Sequence, residues 1–182
     1  MLRGVGVKTL VLVMALFMMS APPSTAGFFD LSPQALPYSV PDVQFINKST
    51  AYSLAKYKGQ RVMLWLFSTW CHTCVASIKV MQEKQTDWKK TGLVILAIRN
   101  YNNGGYPGPD MSEFIQKFAP QIKNMNNWVI GEATEEMYHK LNARKFPDIY
   151  FLIDKKGFVQ VVSTAPTATM NKILNFSRGK PN

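Results

Sequence analysis

The sequence predicts an α/β fold, a central mixed β-sheet flanked by helices, with a helix and a strand inserted in its middle. Two uninterrupted apolar runs of strand length, residues 61–67 (RVMLWLF) and 93–98 (LVILAI), bracket a segment in which Val75, Ile78 and Met81 recur at threefold spacing. Continuous apolar runs suit strands covered on both faces, and strand, helix, strand in that order is a right-handed crossover. Two later runs, residues 149–153 (IYFLI) and 158–162 (FVQVV), are separated by Asp154-Lys155-Lys156-Gly157, the turn chemistry of an antiparallel hairpin.

The chain opens on a basic start (Arg3, Lys8), an apolar run at residues 10–19, and a small, turn-rich stretch ending Ser24-Thr25-Ala26 before Gly27. That order is the layout of a secretory signal over residues 1–26. The run is short for the roughly 30 Å of bilayer hydrocarbon. Val5 and Val7 lengthen it, so an uncleaved anchor facing the periplasm is the alternative. With no cysteine at the cleavage position, a lipid anchor is not expected.

Residues 27–41 hold Pro33, Pro37 and Pro41 and form an extended leader. The domain is expected over residues 42–178 and a tail over 179–182. Residues 43–46 and 51–53 read as short edge strands, and Lys58-Gly59-Gln60 as a turn. After the first buried strand comes one helix running toward Trp88 and ended by Gly92, then the second strand and a loop at residues 100–109 (NYNNGGYPGP). Asp110 and Glu113 cap a helix whose apolar face is Met111, Phe114, Ile115 and Phe118, stopped near Pro120. Residues 128–130 form a short strand. Thr134 then caps a helix that is acidic at its start and basic at its end. The hairpin follows, and the last helix runs from about Thr167 to Gly179.

Of 182 residues, 47% are apolar and two are cysteine, and the formal charge is +10. Such a chain is neither disordered nor a disulfide-stapled miniprotein. Without residues 1–26, 156 residues remain with 19 cations against 11 anions, a charge of +8. The basic clusters are only pairs, Lys89-Lys90, Arg144-Lys145 and Lys155-Lys156, and form no stripe that would track nucleic acid.

Both cysteines lie in one motif, Trp70-Cys71-His72-Thr73-Cys74, where a strand hands over to a helix. Unpaired amides and the helix dipole at that junction favour a thiolate, which makes Cys71 the attacking sulfur. Cys74, one turn inside, is placed to resolve a mixed disulfide. His72 and Thr73 occupy the positions that tune redox poise, and a protonated imidazole would push the couple toward an oxidising potential. A structural disulfide closing so small a loop constrains the unfolded chain little. A closed zinc site lacks ligands beyond His72 and His139, and c-type haem attachment needs histidine where Val75 stands. No metal or cofactor is therefore expected.

The stretch from about Pro41 to Phe176 resembles the thioredoxin superfamily and, within it, the exported TlpA/ResA-like thiol-disulfide oxidoreductases. The resemblance rests on Tyr57-Lys58-Gly59-Gln60, on the strand ending Phe67-Ser68-Thr69-Trp70-Cys71-His72-Thr73-Cys74, on the insertion between Asn100 and Ile130, and on Pro147 leading into Phe151-Leu152-Ile153-Asp154-Lys155-Lys156-Gly157. It implies a thioredoxin fold, catalytic Cys71 and Cys74 forming a redox-active disulfide, and Pro147 as a cis-proline beside them. Trp70 then shapes an apolar collar, and Phe146-Pro147 forms the edge that faces substrate.

The implied function is a periplasmic thiol-disulfide oxidoreductase acting on protein thiols and disulfides, as a reductase fed by a membrane-embedded thiol donor. The alternatives are a dithiol oxidase or isomerase, and a non-catalytic binding module. Three departures from the family pattern stand out. Trp65 takes the place of a buried acid, which leaves no general base for Cys74. Ser77 stands where many relatives have glutamate, and the 147–157 stretch is about one residue longer, an addition assigned to the hairpin turn.

Overall fold

The computed structural model describes Met1 and residues 35–180. Apart from Met1, the expected signal segment lies outside the described residues. So do the leader up to residue 34 and the last two residues of the tail.

Among the described residues eight strands form one mixed sheet: β1 (Tyr38–Ser39), β2 (Gln44–Asn47), β3 (Thr50–Ser53), β4 (Val62–Phe67), β5 (Val94–Arg99), β6 (Trp128–Ala133), β7 (Asp148–Ile153) and β8 (Phe158–Ser163). Their order across the sheet is β1-β8-β7-β4-β5-β6-β2-β3. The pairs β4–β5 and β5–β6 are parallel, and the others are antiparallel. Among the described residues five α-helices join them: α1 (His72–Glu83), α2 (Gln85–Thr91), α3 (Met111–Phe118), α4 (Glu135–Leu141) and α5 (Met170–Ser177). Among the described residues no helix is long and apolar enough to cross a membrane.

Every residue of β4 is buried, because side chains alternate between two apolar layers. Met63, Trp65 and Phe67 face the layer that holds Cys74, Ile78, Met81, Trp88, Phe114 and Ile173, contributed by α1, α2, α3 and α5. Val62, Leu64 and Leu66 face the layer of Phe45, Met137, Tyr138 and Leu141, contributed by β2 and α4. Central strands covered in this way bury their apolar side chains fully, at about 1.5–3 kcal/mol each.

The helix caps are those the sequence predicts. Asp110 Oδ1 accepts from Glu113 N at 2.8 Å and Thr134 Oγ1 from Met137 N at 3.2 Å. Gly92 closes α2 in the left-handed region at φ 68°.

Several elements differ from expectation. Residues 38–39 of the leader pair with β8 as a sheet strand. The single helix expected through Trp88 breaks at Lys84, and the Met81 carbonyl is satisfied instead by the Trp88 indole Nε1 at 2.8 Å. The sixth strand runs on to Ala133, where β2 pairs with it. The β7–β8 register shifts between Leu152 and Ile153, which pair with Val161 and Val159 and leave Gln160 unpaired as a bulge.

Candidate active site

The site forms where β4 ends. Cys71 is the N-cap of α1 in extended conformation (φ −79°, ψ 115°), and its carbonyl accepts from Cys74 N and Val75 N. It is 6% exposed, whereas Cys74, one turn inside, is completely buried. Both are free thiols. Cys71 Sγ lies 3.0 Å from Thr73 Oγ1, and the Cys74 sulfur lies 3.6 Å from the Pro147 carbonyl oxygen.

The two sulfurs are strongly inequivalent. A hydrogen bond from the Cys74 thiol, with help from Thr73 and from the backbone of residues 73 and 74, draws Cys71 down to about 5 against the opposing effect of burial. The bond to Cys71, burial, and the charges of Asp148 and Cys71 push Cys74 far above the ordinary thiol range. His72 is exposed at the first helical position and forms none of the hydrogen bonds to Cys71. Thr73, and not His72, is hydrogen-bonded to Cys71 Sγ. Thr73→Val is expected to raise the midpoint pH of Cys71 alkylation by iodoacetamide by about one unit, read from rate against pH.

Asp148 was not among the expected site residues. It is the first residue of β7, opposite Phe67, and therefore shares the helix-side face with Tyr150 and Leu152. Trp65 Nε1 donates to its Oδ1 at 2.7 Å, and Ala165 N donates to its Oδ2 at 3.1 Å. Burial raises its carboxyl to about 6, helped by the Cys71 charge and opposed by the Trp65 bond. The expectation that Cys74 lacks a buried acid is thus corrected. Trp65 does hold the strand position where an acid was sought, but it orients an acid delivered by the neighbouring strand. The available signal was an aspartate between Pro147 and an unbroken apolar run, in period two with Tyr150 and Leu152.

Phe146–Pro147 departs from the family expectation in another way. Among the described residues the cis peptide is Leu36–Pro37, and the Phe146–Pro147 bond is trans. The Pro147 carbonyl continues the β4–β7 ladder by accepting from Ser68 N at 2.8 Å. Just before it, the chain turns at Lys145 with φ 57°. Asn142 grips the backbone of Phe146 on both sides, with Oδ1 accepting from its N–H at 2.9 Å and Nδ2 donating to its carbonyl at 2.7 Å. Asn100 Nδ2 adds a bond to the same carbonyl at 3.3 Å.

The loop expected at residues 100–109 contains a tight turn, with Asn102, Asn103, Gly104 and Gly105 all at positive φ. It docks on the cysteine loop. Asn103 Oδ1 accepts from Thr69 N at 2.9 Å, and the Trp70 indole Nε1 donates to Asn103 O at 2.9 Å. Pro109 O accepts from Thr69 Oγ1 at 2.7 Å and Arg99 Nη1 at 3.0 Å. Gly108 is needed for this close approach, since a Cβ there would stand 2.6 Å from Asn103 Nδ2 and 3.3 Å from the Trp70 backbone nitrogen. Among the described residues no group of three metal-ligating side chains gathers.

A buried dithiol at the head of a helix, on a mixed sheet of this topology, defines a thioredoxin-like protein with a Cys-x-x-Cys site. Its backbone superposes on the thiol:disulfide interchange protein DsbE of Chlorobium tepidum with a TM-score of 0.60 at 21% identity, covering 78% of this chain and 96% of that one. The chain belongs to the AhpC/TSA family, which it matches over residues 35–162. It is 28% identical over 149 residues to the thiol-disulfide oxidoreductase ResA of Geobacillus kaustophilus, spanning 81% of this chain and 78% of that protein. A second ResA, from Geobacillus thermodenitrificans, is 27% identical over 66% of this chain and 62% of its own length.

Proposed function

We propose that the protein is an exported thiol-disulfide oxidoreductase that reduces disulfides of other proteins. The inequivalence of the two thiols supports this most directly: one, slightly exposed at the helix head, is ionised at neutral pH, and the other, completely buried, is protonated. The names of the ResA relatives and the export-type layout of residues 1–26 point the same way.

In the proposed cycle the Cys71 thiolate attacks one sulfur of a substrate disulfide, forming a Cys71–substrate bond and releasing the other substrate sulfur, which takes up a proton from solvent. Once Cys71 is bonded, it no longer accepts from Cys74 and no longer carries charge. Two causes of the high Cys74 pKa therefore vanish. Asp148, raised to about 6 and near enough for its charge to act on Cys74, then takes the Cys74 proton. The Cys74 thiolate attacks Cys71 Sγ and expels the second substrate sulfur as a thiolate, which takes up a proton from solvent as Asp148 releases its own. Two electrons have passed to the substrate and a Cys71–Cys74 disulfide remains. A dithiol donor, proposed to be embedded in the membrane, restores it.

A second reading as an oxidase or isomerase has one observation in its favour, since a Cys71 thiolate held at about 5 stabilises the reduced form and raises the potential. Against a strong oxidant stands His72, which forms no hydrogen bond to the sulfur. Equilibration with glutathione separates the readings. The reductase reading expects a potential between roughly −300 and −200 mV, and a value near −120 mV would overturn it.

A further inference from the structure

Basic residues that lie scattered along the sequence meet at one end of the folded sheet. β4 and β5 run toward the active-site end, so the segments that enter them, residues 54–61 and 85–92, stand at the opposite end, together with the β7–β8 turn at 154–157 and the close of α5 at 177–180. Contacts tie these four segments together. Gly59 N donates to Lys155 O at 3.0 Å, Val94 N donates to Arg61 O at 3.0 Å, and the Arg61 guanidinium reaches within 2.6 Å of where a Cβ on Gly179 would stand. The segments hold nine cations against two acids, whereas residues 99–110 and 131–148, at the active-site end, hold four cations against five acids.

Both acids at the basic end are engaged. Asp154 Oδ1 accepts from Lys156 N at 2.8 Å and from Phe158 N at 2.9 Å, its Oδ2 accepts from Gln160 Nε2 at 2.8 Å, and Asp87 lies 3.8 Å from Arg178 Nη2. Lys58, Lys89, Lys90, Lys155, Lys156 and Lys180 are exposed. They spread over the ends of four adjacent strands, β8, β7, β4 and β5, a width of roughly 15 Å. Phe158, directly after the β7–β8 turn, is 39% exposed among them. Flexible lysines around an exposed aromatic ring suit an anionic bilayer surface, where ammonium groups meet mobile phosphates and the ring enters the headgroup layer.

We propose that this basic end docks the protein on anionic phospholipid headgroups, with the Cys71–Cys74 site turned away from the bilayer. The six residues of β4 separate the two ends by about 20 Å. A docked protein presents its dithiol to polypeptides beyond the headgroups, and the membrane donor of the proposed cycle has to project about as far to reach it. The docking goes beyond the oxidoreductase reading and uses none of the residues that act on disulfides.

The test is cosedimentation of the full chain with vesicles of phosphatidylcholine alone and of phosphatidylcholine with about one-third phosphatidylglycerol. The apolar run at residues 10–19 is available to both kinds of vesicle, so the readout is the ratio of the two affinities. Roughly fivefold from each of four cations gives a ratio of about 500, which collapses toward unity at about 1 M salt. Lys155→Gln combined with Lys156→Gln is expected to lower the ratio about 25-fold, and Phe158→Ser to weaken binding to the anionic vesicles about fivefold. Lys140→Gln combined with Lys145→Gln removes equal charge from the active-site end and is expected to stay within about twofold of wild type. All five side chains are exposed, so the urea midpoints should not move. A wild-type ratio near unity, a ratio that survives Lys155→Gln with Lys156→Gln, or an equal loss in the Lys140 and Lys145 variant overturns the docking. Capture by immobilised polyglutamate without vesicle binding also overturns it and assigns the basic end to an acidic protein. Insulin-disulfide reduction by the same preparations reads the oxidoreductase proposal separately.

Discussion

Cys71→Ser is expected to abolish insulin-disulfide reduction, lowering the rate by at least about 10³-fold, because a serine hydroxyl supplies no nucleophile comparable to a thiolate near neutral pH. The loss should not come from unfolding. The substitution is nearly isosteric, Cys71 makes no side-chain cap bond, and the Thr73 hydroxyl can bond the new oxygen as it does the sulfur. The urea midpoint is expected to move little. Cys74→Ser separates the two steps: attack by Cys71 remains, resolution is lost, and a mixed disulfide with substrate should accumulate and be visible by mass spectrometry after acid quench. A Cys71→Ser protein that kept half of its activity would place the chemistry elsewhere and favour the non-catalytic binding reading.

Asp148→Asn is expected to slow resolution of that mixed disulfide by about 10²-fold while leaving the first attack nearly intact. The split between steps is diagnostic, since a merely structural role would depress both. The same variant has a signature in stability. Burial lifts Asp148 from 3.8 to about 6, so the folded protein holds this proton more tightly than the unfolded chain does. The stability linked to it is complete below pH 3.8 and lost as pH rises through 6, a fall of about 3 kcal/mol. In the disulfide form neither thiol titrates and the Cys71 charge no longer adds to the effect of burial, so urea unfolding between pH 4 and 8 should show a smaller decline of the same sign in the wild type and a flatter profile in Asp148→Asn. Identical profiles would mean that the carboxylate is not buried in solution as it is here.

Much of the site was legible because its signals are local. The cysteine spacing, the apolar run before it and the threefold repeat after it all lie within residues 61–81, and the structure places Cys71 and Cys74 at the helix head as the pattern implies. Cap residues Asp110 and Thr134 were legible for the same reason, because a side chain that bonds an amide three residues on leaves its mark in the sequence. Helix breaks and strand ends were less so. The end of α1 at Lys84 depends on Trp88 reaching back to Met81 O, and the extension of β6 to Ala133 depends on β2 arriving from far upstream.

Apolar runs of strand length, the threefold repeat between them and one Cys-x-x-Cys pair were enough to predict an α/β domain with one dithiol site. That followed from periodicity and spacing, which are properties of neighbouring residues. Tertiary structure decided which acid is buried near Cys74, because Asp148 and Trp65 are 83 positions apart and meet only through the β4–β7 register. It also decided that the Phe146 backbone is closed, through asparagines 4 and 46 positions away. Buried polar groups must find partners wherever the fold supplies them, and those partners are set by strand order, which no local pattern encodes.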